Sequence, residues 1–458
     1  MRRRRAHRDS QHLLENARLV AITIFLVHSF HYRDGYLFCE DVDLTRAAEE
    51  LGTPLYIYST GTVLDHYTRL DAALAPLDHL ICYAVKANSN RAILNLLADA
   101  GAGFDIVSGG ELFRALKAGA DPAKCTFAGV GKTGEEIEYA LDREVYSFNV
   151  ESEAELDYIN EIASAKSQRA PIALRVNPDV AAETHAYIST GKSENKFGIA
   201  LDRVAQIYER ASQMPGVAIR GIQMHIGSQI TEAKPFAAAI EKVAPLVREL
   251  KSKYRIQFFS IGGGMGIIYR RALESGSGKW WHEHGGEPSA FSVRDYANVI
   301  VPSLGELGVR ILVEPGRFLV GNAGVLLTRV LYLKETAQKK FAIIDAGMND
   351  LIRPALYESY HQIIPVIQPS TSRNKIEKMD IVGPVCESGD FFAQDREMPE
   401  PRPGDLLAVM SAGAYGFVMA SNYNSRPLPA EALVRGDQVA LIRKRQSLED
   451  LTRDEIEA

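Results

Sequence analysis

Lys86 stands in the run Tyr83-Ala84-Val85-Lys86-Ala87-Asn88, where an apolar segment of barrel-strand character comes to its end. Burying an ammonium there is costly, so the lysine calls for a reason. One reason is covalent: an amine of lowered pKa forms a Schiff base with a carbonyl compound, most often pyridoxal phosphate (PLP). The other is geometric, with the aliphatic stem lying along a rim and the charge reaching water. Lys86 alone does not choose between them.

Three further clusters bear on the choice. Gly262-Gly263-Gly264 follows an apolar strand and lets backbone N–H groups close on an anion, although glycines also serve tight turns. Glu314-Pro315-Gly316-Arg317 pairs a carboxylate, able to keep a pyridine nitrogen protonated, with a planar fork for a carboxylate or phosphate. The same two residues could instead form a buried ion pair at a domain junction. His225, in Gln223-Met224-His225-Ile226-Gly227-Ser228-Gln229, has no ligand spacing around it; it is either structural or placed to stack on a cofactor ring.

These residues need elements to hold them. From about Thr53 to Glu314 the chain alternates short apolar strands with amphipathic helices. Strands are expected over Ile81–Val85, Gly103–Val107, Thr126–Ala128, Ser147–Val150, Ile172–Val176, Gly221–His225, Phe258–Ile261 and Ile311–Glu314. Such alternation over about 250 residues predicts an α/β fold, a (β/α)8 TIM-like barrel, whose functional residues lie at the C-terminal ends of strands. Lys86, Asp105, Asn149, Arg175, His225, Gly262 and Glu314 all fall at or near such ends. After Gly316 the pattern turns to short strands punctuated by Gly, Pro and Asp: Gly324–Lys334, Phe341–Ile344, Lys378–Val382, Asp405–Met410, Gly416–Met419 and Glu431–Arg443. This predicts a second, all-β domain of sandwich or barrel-like form. The expected division is residues 1–30 as an extension, 54–315 as the barrel, and 31–53 with 316–446 as the β domain.

Composition agrees with a soluble globular protein: 458 residues, 46% hydrophobic and 24% charged. A net charge of -6 without a basic stripe gives no support for nucleic-acid binding. Cys39, Cys82, Cys125 and Cys386 show neither a zinc nor a disulfide spacing, which fits a reducing, cytoplasmic setting. Arg2 to Arg5 and the apolar run Leu19 to Val27 imitate a signal peptide. Asp9, Glu15 and Arg18 interrupt it, no small-residue cleavage site follows, and the run is too short to span a bilayer. No membrane association is expected. The extension reads as disordered or as lying upstream of a natural start near Val27. A native N-terminus at Met1, found by mass spectrometry, would overturn that.

Together with Lys196-Phe197-Gly198-Ile199, the segment Asp345-Ala346-Gly347-Met348-Asn349-Asp350-Leu351-Ile352-Arg353-Pro354-Ala355-Leu356-Tyr357, Gly383-Pro384-Val385-Cys386-Glu387-Ser388-Gly389-Asp390 and Gly413-Ala414-Tyr415-Gly416, these motifs resemble the fold-type III PLP-dependent decarboxylases. Within that family the chain is most similar to the diaminopimelate decarboxylases, from about Tyr32 to Arg443. The resemblance implies decarboxylation of meso-2,6-diaminopimelate to L-lysine and CO2, the last step of lysine biosynthesis, by a carbon–carbon carboxy-lyase.

It also implies roles. Lys86 carries PLP as a Schiff base, His225 stacks on the ring, and Glu314 faces the pyridine nitrogen. Gly262, Gly263 and Gly264 hold the phosphate, with Gly316 and Arg317 also against the cofactor. Arg317, Arg353 and Tyr357 bind substrate carboxylates, Glu387 reads the distant amino group, and Tyr415 touches both PLP and substrate. Cys386 returns the proton. A free cysteine is more often a small buried hydrophobe, but Glu387 and a Gly-Asp turn after it suggest a loop. The family places that loop in the partner subunit's site, implying an obligate homodimer with shared active sites.

Lys279-Trp280-Trp281-His282-Glu283-His284-Gly285-Gly286 invites a metal reading, but no further ligand cluster supports it, and a solvent-exposed insertion with no metal is expected. Met265 replaces the commoner leucine, a volume-conserving change. Two rivals stand beside the main reading. One is a decarboxylase of ornithine, arginine or a carboxylated polyamine, against which Arg353 and Glu387 argue. The other is a catalytically silent homologue that binds and regulates a partner, against which the retained Lys86 and Cys386 argue. An alanine racemase leaves Cys386-Glu387 unexplained.

Overall fold

The computed structural model describes residues 27–180, 196–287, 290–370 and 375–456. Most of the extension expected over residues 1–30 lies outside the described residues. The chain enters through a small antiparallel sheet of β1 (Phe30–Arg33), β2 (Tyr36–Cys39) and β3 (Val42–Asp43). Asp43 then caps helix Leu44–Leu51, accepting from the Thr45 N–H at 2.8 Å. After β4 (Leu55–Ser59), helix Thr60–Leu74 leads into the barrel.

The barrel is parallel and closed. Its strands are β5 (His79–Ala84), β6 (Gly103–Ile106), β7 (Cys125–Phe127), β8 (Ser147–Val150) and β9 (Ala170–Asn177). A short edge strand, β10 (Ile199–Ala200), pairs only with β9, and the ring continues through β11 (Val217–Met224), β12 (Phe258–Ser260) and β13 (Arg310–Val313) back to β5. These are the eight barrel strands expected from the sequence. Helices between them start at side-chain caps such as Asn90, Ser108, Thr133, Ser152 and Ser292. Among the described residues no helix is long and apolar enough to cross a membrane.

The second unit is built on β14 (Gly324–Glu335), whose first half pairs with β4 and β19 and whose second half pairs with β15. With β15 (Lys340–Ile344), β16 (Ile363–Pro365), β17 (Ile376–Val382), β18 (Phe391–Pro399), β19 (Leu406–Val409), β20 (Ala430–Arg435) and β21 (Gln438–Arg443), it forms a mixed sheet.

The structure differs from the expected boundaries at four places. β4 lies in the second sheet, parallel to β20, so residues 55–59 do not belong to the barrel. Residues 31–53 do not join the second sheet's ladder. Residues 30–43 form their own sheet, followed by the helix Leu44–Leu51, and the sheet is tied to the second unit by the Tyr36–Ile367 bridge and by the Leu37 N–H on the Val366 carbonyl at 2.8 Å. Gly416–Met419 is not a strand: residues 417–419 form a 3-10 turn. There Tyr415 has φ +56° and Gly416 has ψ -94°, neither of which a strand allows. Finally, β18 arises from a segment too rich in charge to read as a strand.

Strand alternation explains why the two units share a core. On β4, Tyr56 and Tyr58 face the apolar cluster continuous with the barrel, while Leu55 and Ile57 face the one shared with β1–β3. On β19, Leu407 and Val409 face the first and Ala408 the second. A strand covered on both faces reads as continuously apolar, and this seam fixes the second unit over the barrel mouth.

Candidate active site

Lys86 lies in a 3-10 turn, Val85–Ala87, directly after β5. Its Nζ donates to Asp105 Oδ2, at the end of β6, over 2.9 Å. The Asp105 carboxylate is buried, while the Lys86 side chain remains open to the barrel mouth. Desolvation pulls the ammonium's pKa down, but the charge and hydrogen bond of Asp105, with the Glu314 carboxylate adding, outweigh it and the net shift is upward. The lowered pKa expected from the sequence is therefore a misreading for the ligand-free chain: a buried carboxylate, not an apolar wall, faces the amine.

Glu314, just past β13, sits at the floor. It accepts from Ser260 Oγ at 2.6 Å, Gln223 Nε2 at 3.0 Å and Asn149 Nδ2 at 3.5 Å. All three donors are neutral, and among the described residues no basic side chain forms an ion pair with it. Burial, with the nearby charge of Asp105 adding, pushes its pKa up to about 7. His225 follows β11 and accepts from the Gly263 N–H at Nδ1, over 3.2 Å. Burial first, then the charges of Arg175 and Lys86, hold its pKa well below the imidazole range, so the ring is neutral.

The glycine run is obligatory on steric grounds. A Cβ on Gly262 would lie 2.4 Å from the Met224 carbonyl oxygen, and one on Gly263 2.1 Å from that of Glu314. Gly316 is confined less severely: a Cβ there would lie 3.1 Å from that of Ala87 and 3.4 Å from the Tyr415 hydroxyl, a tight contact. Tyr415 is thereby placed against the Lys86 turn, and its N–H donates to the Ala87 carbonyl at 2.8 Å.

Two buried arginines form the opposite wall. Arg317 donates from Nη1 to the Tyr269 hydroxyl and from Nη2 to Ser228 Oγ at 3.2 Å, and its guanidinium lies 4.9 Å from the Tyr415 ring centre. Arg353, from helix Arg353–Tyr357, donates to the Tyr269 hydroxyl at 2.8 Å, His361 Nε2 at 3.2 Å and Ser359 Oγ at 3.3 Å. Among the described residues neither has a carboxylate partner, and Arg317 Nε is buried without an acceptor. Tyr357 ends the helix that begins at Arg353.

Cys386 and Glu387 are elsewhere. Both are exposed; the Cys386 N–H donates to Asn424 Oδ1 at 3.0 Å and Glu387 accepts from the Tyr423 hydroxyl. No contact among the described residues joins either to Lys86, Glu314 or the arginines. The insertion is less exposed than expected: Trp280, on helix Gly278–His284, packs on Ile268 and Ala290. His284 stacks on Trp280 and faces Arg271 Nη1 at 2.8 Å.

The sequence reading placed Asp105 at a strand end but gave it no role, and it missed Gln223, Ser260, Ser228, Tyr269 and His361 as site residues. Polar side chains at the ends of apolar strands could have flagged Gln223 and Ser260; Tyr269 and His361 carried no signal. Two hollows lie away from this chemistry. One of about 750 Å³ is lined by Phe318, Trp281 and Phe291, and one of about 410 Å³ lies at the opposite barrel end around Tyr146 and Arg220.

PLP fits the residues present. A buried carboxylate lacking a cation suits a protonated pyridine nitrogen, two buried cations lacking an anion suit anionic groups, and the amine opens toward the mouth between them. Such a site at the mouth of a parallel barrel defines a PLP-dependent decarboxylase, and the family model "Pyridoxal-dependent decarboxylase, pyridoxal binding domain" matches residues 60–321. Across nearly its whole length the chain is similar to diaminopimelate decarboxylases. That of Pseudomonas aeruginosa is 48% identical over 424 residues, covering 92% of this chain and 97% of that protein. That of Aquifex aeolicus is 48% identical over 417 residues, covering 91% and 94%. Among solved structures, Helicobacter pylori diaminopimelate decarboxylase complexed with L-lysine has a TM-score of 0.82 at 40% identity, covering 90% of this chain and 98% of that one. The chain belongs to the diaminopimelate decarboxylase family.

Proposed function

We propose that this protein converts meso-2,6-diaminopimelate to L-lysine and CO2 with PLP, and that it works in the cytoplasm, where Cys386 stays a thiol. The observation that carries the reading is that Tyr415 joins the Lys86 turn to Arg317, one of two buried arginines without a carboxylate partner among the described residues, in a chain matched over 92% of its length by a diaminopimelate decarboxylase. Bound at Lys86, PLP supplies the electron sink for the pair left when CO2 departs. Glu314 offers its carboxylate to the ring N–H, which stabilises the protonated ring. His225, neutral, packs on the ring face. The run Gly262-Gly263-Gly264, with Gly316, would hold the phosphate, its lack of side chains leaving room for the anion; the Gly262 and Gly263 N–H groups donate to Ser260 Oγ and His225 Nδ1 in the ligand-free chain.

Asp105 holds Lys86 as an ammonium at 2.9 Å whenever the amine is free. Arg317, Arg353 and Tyr357 take the substrate's carboxylates, and Tyr415 covers cofactor and substrate. Cys386 returns a proton to the carbon that loses CO2, and Glu387 receives the distant ammonium. A homodimer delivers these last two: each copy's Cys386 loop completes the other copy's site. Supporting this, the loop is exposed within one chain, and Leu356 and Tyr423 are exposed beside Tyr357 and Glu387. Substrates without the second amino-acid group leave Glu387 and the two arginines unpaired and are rejected.

The test is CO2 release and L-lysine formation from meso-diaminopimelate by the PLP-loaded protein, beside Lys86→Ala, with ornithine and arginine as competitors. Lysine from the wild type alone is expected, with Lys86→Ala slower by at least about 10³-fold. Turnover of ornithine or arginine in preference would overturn the substrate assignment, and absence of any turnover would leave a silent homologue.

A further inference from the structure

Tyr269 ties the two arginines together. Its hydroxyl accepts from Arg317 Nη1 and, at 2.8 Å, from Arg353 Nη1, so one phenol oxygen bridges two buried guanidinium groups. Both cations also lie near its ring, at 5.8 and 5.0 Å from the centroid. Like charges in a buried wall repel, and a shared acceptor between them offsets that repulsion and fixes their separation.

A second layer holds this arrangement. His361, fully buried, stacks edge-on to Tyr269 at 5.3 Å. Its Nδ1–H donates to the Met410 carbonyl at 2.9 Å, which leaves Nε2 a lone pair for Arg353 Nη1. Burial, with the charge of Arg353 adding, keeps its pKa down at about 3, so it remains an acceptor at any working pH. Burial would raise the Tyr269 phenol's pKa, yet the two guanidinium charges outweigh it and the net shift is downward.

We propose that Tyr269, backed by neutral His361, is the positioning residue that presets Arg317 and Arg353 as one clamp for a single substrate carboxylate, and so sets the preference for a ligand that keeps this group. The inference rests on the proposed role of the two arginines. Neither Tyr269 nor His361 is asked to touch the reacting carbon.

The test compares calorimetric binding of L-lysine with that of 1,5-diaminopentane, which is lysine without its carboxylate, on PLP-loaded wild type, Tyr269→Phe, His361→Leu and His361→Gln. The wild type is expected to prefer lysine. Tyr269→Phe and His361→Leu should each weaken lysine by about 10-fold, the worth of one hydrogen bond to a charged group, with diaminopentane unchanged. His361→Gln, which keeps an acceptor toward Arg353, should recover most of the preference. In turnover, Tyr269→Phe should raise KM for diaminopimelate far more than it lowers kcat. An equal loss for both ligands indicates damaged folding instead of a lost clamp and overturns the inference, as does a preference unchanged in Tyr269→Phe. A wild type that does not distinguish the two ligands overturns the carboxylate clamp itself, and the inference with it.

Discussion

Glu314 is the residue whose environment asks most for a ligand. Its folded pKa of about 7 lies above the ordinary carboxylate value. The stability it contributes is therefore fully present below the unfolded pKa and is lost as pH rises through about 7. In cofactor-free protein this loss is on the order of 3 kcal/mol between pH 4 and 8. Urea unfolding of the PLP-free wild type and of Glu314→Gln should show it as a smaller difference between pH 5 and pH 8 in the variant. The same variant should lower kcat of the loaded enzyme by about 10²-fold or more, because a neutral amide does not hold the ring proton. An unchanged pH dependence of stability in Glu314→Gln would mean that another buried acid, such as Glu111, also raised to about 7, carries the effect.

At the scale of elements, the site depends on close backbone approach more than on side-chain reach. Gly263→Ala would force a methyl to within 2.1 Å of the Glu314 carbonyl, moving the glycine run or the end of β13. It should weaken PLP binding, read by the cofactor's absorbance after dialysis, by at least about 10-fold. The insertion with its His-Glu-His sequence tests the opposite case. Trp280, 5% exposed, anchors it on Ile268, close in sequence to the glycine run. Trp280→Ala should cost about 3 kcal/mol in unfolding free energy, whereas His282→Ala, at an exposed position, should leave unfolding unchanged within about 0.5 kcal/mol.

For the whole molecule, the separation of Cys386 from Lys86 is the decisive geometry. If two copies complete each other, Lys86→Ala and Cys386→Ala, each inactive, should regain activity when co-refolded. Half of the dimers would be mixed, each with one intact site, restoring about a quarter of wild-type turnover. Sedimentation would report the dimer independently. A pair of variants that forms mixed dimers yet stays inactive would show that Cys386 acts within its own chain.

Much of this was legible in one dimension because the signals are local. Strand-helix alternation, a lysine ending an apolar strand, three glycines after another and Glu-Pro-Gly-Arg after the last each depend on neighbours along the chain; the alternation predicted the barrel, and the motifs' resemblance to a family supplied the cofactor and the proposal of Lys86 as its anchor. What the tertiary structure alone decided depends on residues far apart in sequence. Asp105 raises the Lys86 pKa from the next strand, Gln223 and Ser260 reach Glu314 across the barrel floor, and Tyr269 joins Arg317 to Arg353. β4 reads like any buried strand, and only its pairing with β14 and β20 assigns it to the second sheet. Electrostatic shifts and sheet membership are set by distance in space, which apolar periodicity does not encode.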